Sequence, residues 1–132
     1  MKLELKSSKT FSDKSGSLVP FYKKESLVNF NINRFFYIYG NQKYSRADHA
    51  HKKCNQILIP ITGKIEVEVT NKKKVKKKFI LTRDNNKYVI IPKEHWIKLK
   101  FKERNSVLLT ICDFKYLKEE YIQSKKEFFK RK

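Results

Sequence analysis

Apolar and polar positions alternate along most of this chain, and a period of two residues marks a half-buried β-strand. The pattern predicts strands over 17–22, 33–39, 46–51, 56–61, 64–70, 77–82, 87–91, 95–101 and 106–113. Pro20 suits the first of these to a sheet edge, because proline cannot donate to a ladder. The run Asn33 to Tyr39 is rich in the aromatic residues that favour strands. Breaks fall at Gly40-Asn41, Thr62-Gly63, 71–74, 84–86 and Arg104-Asn105. Many short strands at regular spacing predict a β-sandwich or barrel. Only the tail, about 116–130, reads as a helix, with Leu117, Tyr121, Ile122, Phe128 and Phe129 as its apolar stripe.

Composition narrows this picture. A chain of 132 residues fits one domain, 1–132, and ten Phe and seven Tyr supply a real core. Gly and Pro occur three times each, so no long linker is expected. No run approaches the ~20 apolar residues of a membrane span, and Met1 to Phe11 carry no apolar signal-peptide core. Cys54 and Cys112 fit no metal or redox spacing and read as free thiols in a reducing compartment, hence a cytoplasmic protein.

The net charge of +19 invites a nucleic-acid partner, but 27 of the 32 basic residues are Lys. Base readout and phosphate clamping favour the planar fork of Arg. The Lys excess accompanies many Asn, Ile and Phe and only two Ala, a compositional bias that makes most of the charge a solvated surface. No nucleic acid is therefore expected as partner, although such a surface attracts small anionic substrates. The lysine run over 72–78 reads as a hairpin tip in water, since no apolar anchor for lipid adjoins it.

Candidate chemistry centres on His49 and His51, which a strand points to one face. Imidazole titrates near neutrality and can accept and return a proton. The surrounding spacing is that of the first cupin motif: His-x-His, four residues, an acidic position, six residues, Gly63. Here Gln56 holds the acidic position, and Ile97 stands five residues after Pro92, where the second cupin motif has a third metal-binding His. Two imidazoles alone make a poor site for a divalent cation. No metal is therefore expected, and the pair is free for proton transfer.

A narrower resemblance covers nearly the whole chain. Asp13-x-x-Gly16-Ser17-Leu18-x-Pro20, Arg34-x-x-Tyr37-Ile38, Arg46-Ala47-Asp48-His49-Ala50-His51-Lys52, Ile91-Pro92 with Trp96, and Asp113-Phe114 followed by Glu120-Tyr121-Ile122 are similar to the cupin sugar 3,4-ketoisomerases acting on dTDP-4-keto-6-deoxyglucose. Ala47 departs from the family's usual Gly, and Ile97 stands where members often carry His. The resemblance implies an all-β fold, a small RmlC-like cupin jelly-roll β-barrel with a short C-terminal helix. It implies a homodimer with no cofactor. It implies a dTDP-linked keto-sugar substrate whose ketone moves from C4 to C3 through an enediolate, for deoxyamino-sugar and surface-polysaccharide synthesis.

By that carry-over His49 is the base at C3, and His51 is its shuttling or orienting partner. Tyr37 either hydrogen-bonds the sugar or packs in the core. Arg46 either holds pyrophosphate or pairs with Asp48, and Arg34 is a further anion site. Lys52 belongs to the pocket by its family position, and Gln56 is expected to hydrogen-bond an imidazole. Trp96 either walls the sugar pocket or serves the core. His95 either protonates C4 or lies on the outer strand face, since alternation lets only one of residues 95 and 96 face inward. An epimerase of the same fold, or a cupin that binds nucleotide-sugars without turnover, are the competing functions.

Overall fold

The computed structural model describes residues 1–27 and 29–132. Its strands are β1 (Glu4–Ser7), β2 (Phe11–Asp13), β3 (Gly16–Leu18), β4 (Arg34–Tyr39), β5 (Arg46–His51), β6 (Gln56–Thr62), β7 (Lys64–Thr70), β8 (Lys76–Thr82), β9 (Lys87–Ile91), β10 (Trp96–Phe101), β11 (Val107–Cys112) and β12 (Tyr121–Ile122). One helix, α1 (Lys125–Lys130), follows. Two five-stranded sheets form, ordered β1-β9-β6-β11-β4 and β12-β5-β10-β7-β8, with β2 and β3 as a separate hairpin. Every pairing is antiparallel.

The two sheets bury a shared apolar layer. Leu58, Val89, Ile91 and Leu108 from the first meet Ile65, Val67, Leu81, Ile97, Leu99 and Phe101 from the second. Both sheets are also covered on part of their outer faces. Leu27 and Phe30 close over Ile57, Ile59, Tyr88 and Ile90, which explains why β6 and β9 read as continuous apolar runs instead of alternating. Phe128 of α1 and Ile122 cover Ala50 and Trp96 on the back of the second sheet.

Two expectations need correction. The strand expected over 17–22 ends at Leu18, because it pairs only with β2, and Phe21 instead packs edge-on against Tyr88 with ring centroids 5.1 Å apart. The helix expected over 116–130 shrinks to Lys125–Lys130, capped by Ser124, whose hydroxyl accepts from the Glu127 N–H. Ahead of it Lys118–Glu120 is a single 3-10 turn, and Tyr121 and Ile122 pair with His51 and Ala50 as a sheet edge. Tertiary pairing overrides the helical stripe there: Leu117 stays 36% exposed while Ile122 is buried. Outside these segments the expected strands form within a residue or two of their predicted ends.

Candidate active site

Strand β5 carries the candidate site, and its shape depends on a bulge. Ile97 lies opposite His49, but the next residue, Lys98, lies opposite Ala47. Asp48 is the extra residue, and Ala47 and Asp48 both adopt left-handed backbone, with φ of 65° and 57°. The bulge aims Arg46, Ala47 and His49 into one cavity. Glycine takes this conformation without a steric cost, which accounts physically for the family's Gly at position 47.

The cavity has a volume of about 260 Å³ and opens between the two sheets. Phe36, Ile38, Leu58, Ile97 and Leu99 form its apolar wall. Its polar groups are Arg46, His49, Gln56, Thr110, Tyr116, Lys118, Tyr121 and Gln123. Gln56 and Ile97, the positions that depart from the cupin ligand pattern, face this same space.

His49 forms part of the wall, and burial together with the neighbouring His51 pushes its pKa down to about 4. His51 sits behind it, 2% exposed, with its ring perpendicular to that of His49 at 4.8 Å. Its Nδ1 lies 2.5 Å from Glu120 Oε1, a contact between groups withdrawn from water. Glu120 Oε2 accepts from the backbone N–H groups of Lys53 and Cys54 at 3.2 and 3.3 Å. The carboxylate is thereby held by three donors and in turn fixes the imidazole's orientation. Burial lowers the pKa of His51, while Glu120 opposes that shift.

Tyr121 closes the cavity next to both rings, 4.9 Å from His49 and 4.4 Å from His51. Arg34 Nη2 donates to its hydroxyl at 3.4 Å, and Arg34 Nε donates to the Phe114 carbonyl at 3.1 Å. Burial raises the Tyr121 pKa, which keeps the phenol a donor at neutral pH.

The structure thus brings together His49, His51, Arg46 and Gln56, with Arg34 one layer behind, against Phe36, Tyr116 and Tyr121. Arg46 reaches the cavity and makes no ion pair with Asp48, which accepts from Trp96 Nε1 at 3.0 Å instead. Gln56 makes its hydrogen bond to the Cys112 sulfur at 3.5 Å and not to an imidazole.

Four expected residues stand elsewhere. Tyr37 points from the outer face of β4, 59% exposed, because β4 turns Phe36 and Ile38 inward. Trp96 is 3% exposed and packs on Phe128, 5.9 Å away, so of its two readings the core one describes its place. His95 lies in the turn before β10, outside the cavity lining, its Nδ1 3.1 Å from the carbonyls of Pro92 and Lys93. Lys52 is half-buried outside the cavity lining, and its backbone N–H donates to the Glu120 carbonyl at 2.7 Å.

Glu120 and Tyr121 escape motif reading as site residues because they reach the histidines from about 70 positions away, through the pairing of Tyr121 with His51. The signal for both is the Glu120-Tyr121-Ile122 run that shares in the family resemblance, which marks the segment without giving either residue a role.

The chain resembles solved structures over nearly its full length. A 3,4-ketoisomerase from Helicobacter canadensis is 29% identical, with TM-score 0.87 over 98% of this chain and 96% of that one. The TDP-quinovose 3,4-ketoisomerase WlaRB from Campylobacter jejuni is 26% identical, with TM-score 0.88 over 98% of each chain. The sugar 3,4-ketoisomerase QdtA from Thermoanaerobacterium thermosaccharolyticum, solved with TDP, is 26% identical, with TM-score 0.87 over 96% of this chain and 91% of that one. No curated protein sequence matches. The model of the family described as FdtA, WxcM-like, C-terminal, matches residues 1–132, and with every residue inside that match the chain belongs to this family.

Proposed function

We propose that this protein is a sugar 3,4-ketoisomerase that converts dTDP-4-keto-6-deoxyglucose to a dTDP-3-keto-6-deoxyhexose without a metal. The observation that carries the reading is His49, a half-buried imidazole on the wall of a sugar-sized cavity, backed by His51 and its buried carboxylate partner.

In the proposed reaction the neutral His49 takes the C3 proton, which the adjacent C4 carbonyl acidifies. The electron pair moves to the C4 oxygen and an enediolate forms. Tyr121, kept protonated and hydrogen-bonded to Arg34, is the donor at hand for that oxygen. A proton then goes to C4 as the C3 oxygen becomes the ketone. His51 orients His49 and relays protons. Arg46 and Lys118 line the cavity and supply cations for the pyrophosphate. His95, in the turn before β10, reaches the sugar only through intervening water.

The wider reading is a jelly-roll cupin acting in the cytoplasm for deoxyamino-sugar and surface-polysaccharide synthesis. It acts as a homodimer. Edge strand β4 presents Phe35, Tyr37 and Tyr39 at 66, 59 and 75% exposure, an apolar face that a second copy would cover.

Incubation with dTDP-4-keto-6-deoxyglucose followed by NMR tests the reaction. The expected product has its ketone at C3 and, in heavy water, deuterium at C4. A product inverted at C3 or C5 with its ketone still at C4 assigns the chain to epimerisation, and binding without turnover makes it a sugar-binding module. The expected rate after exhaustive chelation is unchanged; a loss restored by a divalent ion overturns the metal-free mechanism.

A further inference from the structure

Outside the cavity lining, a second cluster of ligating groups is buried around His51. One ligand atom from each of His51, Cys54 and Glu120 lies within 4.8 Å of the other two, and all three residues are buried. The Cys54 thiol donates to the Asn55 carbonyl at 3.4 Å. His51 Nε2 is buried without a hydrogen-bond partner among the described residues. Imidazole nitrogen, thiolate sulfur and carboxylate oxygen are the donor set of zinc-group cations.

We infer that His51, Cys54 and Glu120 form a site for a thiophilic divalent cation of the zinc group. A tetrahedral zinc site places its donors ~3.3–3.8 Å apart. Loading therefore opens the 2.5 Å contact between His51 and Glu120 and draws Cys54 inward by up to about 1 Å. The Cys54 thiol proton and the proton between His51 and Glu120 leave to solvent as the cation enters. Tyr121 lies between the cluster and the cavity, because it lines the cavity and packs on the His51 ring at 4.4 Å. Loading takes His51 from its carboxylate, so the same cation is an inhibitor of any chemistry that uses this imidazole.

The test needs no substrate, and its failure is separate from failure of the ketoisomerase reading. Reduced, chelator-stripped full-length protein is titrated with cadmium ion. The expected result is a thiolate-to-cadmium charge-transfer band in the ultraviolet that saturates at one equivalent per chain. Cadmium NMR of the unmodified protein should show mixed sulfur, nitrogen and oxygen ligation, a readout that no variant needs to fold for. Cys54→Ser should weaken binding by at least the ~10- to 100-fold that loss of a ligand's outer partner costs. Absence of the band at stoichiometric cadmium, or unchanged affinity in a folded Cys54→Ser protein, overturns the site.

Discussion

A base must be neutral to act, and an environment that makes it hard to protonate keeps it available while lowering its basicity. His49 has its pKa held at about 4 by burial and by His51, so it is unprotonated throughout the physiological range. The expected kcat/KM is flat from about pH 7 down to about pH 5 with respect to this group, and falls as pH drops through about 4. The same shift bears on folding. The unfolded imidazole titrates at 6.5 and the folded one at about 4, so the unfolded chain binds more protons between those values. This contribution to stability is full above pH 6.5 and is lost as pH falls toward 4. His49→Asn removes that share of the pH dependence in denaturation curves. The same variant should slow turnover by ~100- to 10,000-fold with dTDP binding retained. A wild-type rate in His49→Asn would exclude it as the base.

Glu120 contacts His51 and does not line the cavity, so in the proposed reaction it is a positioning residue. Glu120→Gln keeps the size of the side chain and loses the charge. It should lower kcat by at least ~10-fold with KM little changed, since the ring and not the substrate loses its anchor. Equal changes in kcat and KM, or no change, would remove Glu120 from that role.

At the scale of elements, the β5 bulge is the device that makes a strand into a wall. Ala47 bears a methyl in a left-handed conformation, which costs ~1–2 kcal/mol for an L-residue. Ala47→Gly relieves this and adds unfolded-chain entropy of ~0.4–1 kcal/mol, so a net stabilisation of up to about 1.6 kcal/mol is expected in urea unfolding. A destabilised Ala47→Gly would show that the methyl packs more favourably than it strains.

Elements also show where sequence reading stops. The strands around the core were legible because alternation follows from having one face buried, as in β7, where Ile65, Val67 and Val69 are buried and Glu66 and Glu68 are not. His49, Arg46, Gln56 and Ile97 were legible because local spacing on neighbouring strands sends them to one space. Tyr37 was misplaced because family position says nothing about which face of β4 it takes. The tail was misread because Tyr121 and Ile122 are set by a partner strand far away in sequence, and a helical period cannot register that.

For the whole molecule, the large positive charge is spread as lysines over strands and turns, and the exposed aromatic row on β4 is the feature that calls for a partner surface. Light scattering at micromolar concentration should give the mass of a dimer. Replacing Phe35 and Tyr39 together with Lys should shift it to monomer, because two desolvated charges per copy oppose association. A monomer at all concentrations would leave the β4 face to another partner.

The packing of the last elements against β5 has a consequence in time. Ribosomes make the two histidines early and their carboxylate, Glu120, long after. Until residues 118–128 have emerged, the His51 ring lacks its carboxylate, Ala50 between the two imidazoles is backed by Trp96 alone, and Tyr121 is not there to close the cavity. A nascent chain with its eleven preceding strands already out of the ribosome therefore has most of both sheets but an unfinished candidate site. Competence arrives as one late event, when the tail docks.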